Sequence, residues 1–81
     1  MTVKVNKPRD MQALFLKAQK DAEKHGITWS GDMQAGRGEG FGFEGKYVVD
    51  ENHIIVTVTK RPLFASKSRI EREVKSYILA S

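Results

Sequence analysis

Gly40-Phe41-Gly42-Phe43-Glu44-Gly45 reproduces the G-x-G-x-x-G spacing with which backbone N–H groups cradle a phosphate. A dinucleotide loop of this kind must run from a strand into a helix, so that the pyrophosphate meets the helix N-terminus. Here the glycines run into Lys46-Tyr47-Val48-Val49, which reads as a strand. A kinase glycine loop does lie between strands, but 81 residues leave no room for a kinase and the HRD and DFG motifs are absent. Arg37-Gly38-Glu39-Gly40-Phe41 matches the aromatic strand of RNA-recognition domains only in part, because Glu39 stands where a base-stacking ring belongs. The glycines are therefore read as strand-building residues.

The remaining reactive side chains form no catalytic set. His25 and His53 are the only histidines, and neither has a partner at metal-ligand spacing. Asp50-Glu51 sits between two apolar runs and reads as a turn, not as an acid–base pair. The serines before the second helix suit caps better than nucleophiles, and Trp29 alternates with Ile27 as a core residue would. The expectation is a non-enzymatic chain without cofactor or metal.

Thr2-Val3-Lys4-Val5 alternates as a short strand. Pro8 and Asp10 supply helix-opening chemistry, Met11, Leu14, Phe15, Ala18 and Ala22 form one helical stripe, and His25-Gly26 ends it. Ile27–Ser30 reads as a strand followed by a Gly31-Asp32 turn. A hairpin around residues 50–53 sets Val49 opposite Ile54, Tyr47 opposite Val56 and Gly45 opposite Val58, all on one apolar side. After Pro62 the chain leaves the sheet, and Ser68-Arg69-Ile70-Glu71 fits a capping box for a helix with Ile70, Val74, Tyr77 and Ile78 on its apolar stripe. Residues 1–81 form one α+β domain of order β-α-β-β-β-α, an antiparallel sheet with two helices on one face.

Counted along an unbroken strand, Gly36, Gly38, Gly40 and Gly42 fall on the side away from the helices. There they would join Val48, Ile55 and Thr57 in an outer face with few charges other than Glu44 and Lys46. Gly38, Gly40, Gly42, Val48, Ile55 and Thr57 are accordingly the candidate contact surface, for self-association or for a partner.

The net charge is +4, and it is not spread evenly. Basic and acidic residues balance up to Thr59, so the whole excess lies from Lys60 onward. Lys60, Arg61, Lys67, Arg69 and Arg72 are the candidate contacts to an anionic partner such as nucleic acid or a lipid surface. The absence of cysteine fits an intracellular protein stabilised by packing alone. Neither a signal peptide nor a membrane-length apolar run is legible, so the expected location is cytoplasmic.

His25-Gly26-Ile27, Trp29, Gly36-Arg37-Gly38, Gly45-Lys46-Tyr47, the Ile54–Val58 run, Lys60-Arg61-Pro62 and Ile70-Glu71 together resemble the polyhydroxyalkanoic acid system family across nearly the whole chain. The resemblance implies a small bacterial accessory protein, granule-associated and linked to polyester storage, and carries over no catalytic residue. The alternative is a double-stranded-RNA-binding module, with Lys67 and Arg69 at the start of the last helix reaching phosphates. Against it, Glu71 and Glu73 follow at once, and an alanine-rich packing face is missing.

Overall fold

The computed structural model describes residues 1–80. Strand β1, Thr2–Asn6, buries Val3 and Val5 and leaves Thr2, Lys4 and Asn6 in solvent, as period-two alternation requires. Helix α1, Met11–Lys24, is opened by Asp10, whose carboxylate accepts from the Ala13 N–H at 3.0 Å. It ends where the His25 N–H reaches the Asp21 carbonyl and Gly26 turns left-handed at φ 68°.

Four strands follow as a meander: β2 (Thr28–Gly31), β3 (Ala35–Gly40), β4 (Phe43–Val49) and β5 (His53–Lys60). β1 pairs with β5, so the antiparallel sheet runs β1-β5-β4-β3-β2. Helix α2, Lys67–Leu79, packs on the β1 end and α1 on the β2 end of the same face. Val3, Val5, Leu14, Ile54 and Ile78 are the buried core between them. The α+β class, the antiparallel sheet and the one-sided helical layer stand as expected.

The hairpin at 50–53 has the expected register, with Val49 opposite Ile54, Tyr47 opposite Val56 and Gly45 opposite Val58. The Asp50 carboxylate fastens it by accepting from the Asn52 and His53 N–H groups at 2.9 and 2.6 Å. A bulge opposite Glu44 and Gly45 shifts the register at the far end of β4.

The glycine-rich segment departs from expectation. It is two strands, turned at Phe41-Gly42 with positive φ at both residues (55° and 81°), so the chain order is β-α-β-β-β-β-α. A two-residue hairpin puts Gly40 opposite Phe43, Gly38 opposite Gly45 and Gly36 opposite Tyr47. Residues directly opposite share a face, so the β3 glycines stand on the helix side with Tyr47, not outside with Lys46. The start of α2 also moves: Ser66, not Ser68, is the cap, its hydroxyl accepting from the Arg69 N–H at 3.3 Å. With Arg69 in place of an acid at the third helical position, no capping box closes.

Candidate functional site

Two loops meet at one end of the molecule. A Cβ added at Gly42 would lie 3.1 Å from Pro62 Cγ, so the Phe41-Gly42 turn rests against the chain leaving β5. Around this contact stand the most exposed large apolar side chains, Leu63 at 105%, Phe64 at 87% and Phe41 at 69% exposure. Phe64 borders a shallow apolar depression shared with Phe43, Val58, Ile70 and Val74. Lys60 and Arg61 enter the loop, and Lys67, Arg69 and Arg72 leave it along the exposed side of α2. The Arg61 guanidinium donates to the Ala65 carbonyl, which ties the loop into a closed turn. All five basic residues named from the sequence are thus exposed on this segment. Phe41, Leu63 and Phe64 were not named; the signal was Leu63-Phe64 standing directly after Pro62, outside any periodic element.

The outer face of the sheet is less bare than expected. Lys46 pairs with Thr57, Val48 with Ile55 and Ala35 with Val48, so Val48, Ile55 and Thr57 do share that surface. Gly38 and Gly40 do not, because the hairpin turns them inward, and Gly42 belongs to the turn. Lys46 keeps its expected outer position, Arg37, Lys4 and Glu39 join it there in place of the glycines, and Arg37 pairs with Glu44 at 3.0 Å. Charges flank the Val48–Ile55 pair and the three glycines lie elsewhere, so the six candidate residues do not form one contact surface.

Between the helices the inner face opens as a groove of about 690 Å³. Its floor is Gly38, Gly45, Tyr47, Val49 and Val56; Leu14, Phe15 and Ala18 of α1 form one wall, Val74 and Tyr77 of α2 the other. Phe15, Trp29 and Tyr47 pack edge to face along one end, with ring centroids 5.1 and 6.3 Å apart. The Trp29 indole N–H is buried, with the Tyr47 hydroxyl as its neighbouring acceptor. Across the opening the Tyr77 hydroxyl donates to the Asp21 carboxylate, and Lys17 Nζ lies 4.5 Å above the Tyr77 ring. Burial raises the Tyr77 pKa, and the neighbouring Asp21 carboxylate raises it further. Burial likewise raises Tyr47, whose hydroxyl donates to the Asp32 carbonyl. The chain exposes 5821 Å², against roughly 4,900 Å² for a compact monomer of 9.1 kDa, consistent with this uncovered groove.

Among the described residues no group of three or more His, Asp or Glu side chains is close enough to share a metal ion. No described helix is long and apolar enough to cross a membrane. His53 Nδ1 stands 3.7 Å from Asp50 in the hairpin, and Glu71 and Lys75 pair at 3.0 Å on α2. No protein-family model, curated protein or solved structure matches this chain.

Proposed function

We propose that this is a non-enzymatic binding protein that docks, loop end first, on an apolar surface bearing anionic groups, namely the surface of a polyester storage granule. The observation that carries the reading is the exposure of Phe41, Leu63 and Phe64 on two abutting loops, with the exposed Lys60, Arg61, Lys67 and Arg69 on either side of Leu63 and Phe64 in the chain. Burying a Leu or Phe side chain gains about 1.5–3 kcal/mol, and water offers the free protein no such gain. Each Lys or Arg near an anionic surface adds about 1 kcal/mol, screened by salt. The polyhydroxyalkanoic acid system resemblance agrees with this choice of surface.

Co-pelleting with isolated polyhydroxyalkanoate granules tests it. Wild type should pellet with a component that salt weakens and a component that salt leaves. Leu63→Asp with Phe64→Asp should abolish pelleting, whereas Lys67→Glu with Arg69→Glu should remove only the salt-sensitive part. Equal pelleting of all three proteins would overturn the proposal. Tight binding to duplex RNA with a steep salt slope, and none to granules, would favour the nucleic-acid alternative.

A further inference from the structure

We infer that the groove between α1 and α2 is a binding site for a small uncharged amphiphile, a single hydrocarbon chain or ring system with a neutral polar end. This site is separate from the loop end and does not depend on the docking reading.

Three observations lead here. The groove's 690 Å³ falls within the roughly 300–1,000 Å³ of small-molecule sites, a large opening for so short a chain. Its floor is cleared by glycine. At Gly36 an added Cβ would strike the Tyr47 hydroxyl at 2.5 Å and its ring at 2.6 Å, and at Gly40 it would meet Ile27 at 3.0 Å, so the protein itself fills those spaces. At Gly38, in the floor, nothing lies closer than the Thr28 carbonyl at 3.4 Å and Ile27 at 3.9 Å. The space a side chain would take there is left to the groove, and an apolar chain can lie against bare backbone.

The third observation is how the groove's polar groups are used. The Tyr47 hydroxyl is spent on the Asp32 carbonyl and the Tyr77 hydroxyl on Asp21. Arg37 and Lys46 border the floor through their backbone, since alternation with Gly38 and Gly45 aims their side chains to the other face. What faces the interior is Leu14, Phe15, Ala18, Val56 and Val74, while Asp21, His25 and Glu73 are the titratable groups that border the groove, and Lys17 lies over the Tyr77 ring. An anionic end would meet the two acids, whereas a cationic end would meet Lys17 and compete with the Tyr77 hydroxyl for Asp21, so a neutral end is favoured.

Trp29 borders the groove and is the chain's one tryptophan, so its fluorescence reports occupancy directly. Titration with 1-dodecanol below its solubility limit should give a saturable change in Trp29 emission. Dodecanoate should bind at least about tenfold more weakly. Gly38→Val, which fills the floor, and Ala18→Leu, which fills the α1 wall, should each weaken dodecanol by at least about tenfold, since even one methylene in a pocket is worth 10–200-fold. Denaturation midpoints check that both variants fold; if Gly38→Val does not, Ala18→Leu decides. No saturable response, equal affinity for dodecanoate, or wild-type affinity in the folded variants would each overturn the inference. So would sedimentation showing a dimer that dodecanol does not disturb, because a second copy would then occupy the groove.

Discussion

Gly36 lies directly opposite Tyr47, and the tyrosine ring occupies the space in which a Gly36 side chain would stand, 2.6 Å from an added Cβ. This pair is what the glycine-rich strand is for. An aromatic ring laid over a cross-strand glycine covers exposed backbone and supplies the packing that glycine lacks. Gly36→Ala should therefore destabilise by about 1–3 kcal/mol, the usual cost of overpacking. Gly38→Ala should be neutral or slightly stabilising, because its Cβ meets only ordinary contacts. Urea denaturation of the two variants checks this, and equal midpoints would remove the assigned register. Tyr47→Ala should cost about 2–4 kcal/mol, somewhat below a fully buried aromatic.

Acid stability should be set partly by two turns. The Asp32 carboxylate accepts from the Gln34 and Ala35 N–H groups, Asp50 from Asn52 and His53, and these bonds hold both carboxyls below their ordinary range. A lowered folded-state pKa gives stability that is fully present above the unfolded value, about 3.9, and is lost as pH falls through the folded value. The denaturation midpoint should thus hold down to about pH 5 and fall below it. Asp32→Asn with Asp50→Asn keeps an acceptor oxygen at each site but cannot titrate, so its acid-side slope should be shallower.

At alkaline pH the sign reverses. Both tyrosines of the chain have raised pKa values, first because burial penalises the phenolate. A raised folded value gives stability that is present below the unfolded pKa of about 10 and disappears as pH rises through the folded one. Ultraviolet titration should show little phenolate in folded protein at pH 10 and a cooperative rise on unfolding. Half-ionisation of both rings near pH 10 while the fold persists would contradict the Tyr77–Asp21 bridge across the groove.

The helix cap separates two serines. Ser66→Ala should cost about 1 kcal/mol by leaving the Arg69 N–H unmet, whereas Ser68→Ala, inside the first turn of α2, should change stability by less than about 0.5 kcal/mol. Thermal denaturation of the pair checks the assignment.

Local chemistry by itself determined much of this protein. Asp10 and Gly26 delimit α1, and the apolar sets on either side of residues 50–53 specify the β4–β5 register, because a one-residue slip would expose every core side chain. The side on which the helices pack follows from that register. The glycines resisted the same treatment. β3 alternates glycine with Ala35, Arg37 and Glu39 and has no large apolar side chain to mark its core face, and a Phe41-Gly42 turn with a bulky residue at positive φ is a weak local signal. Counting straight through residues 36–49 inverted the face of β3; the reversal at Gly40–Phe43 came from tertiary pairing, which seats Tyr47 on Gly36 and Ile27 against Gly40. Only the folded chain, too, brings the Phe41-Gly42 turn against Pro62, because the two loops are far apart in sequence and meet through the β4–β5 hairpin between them.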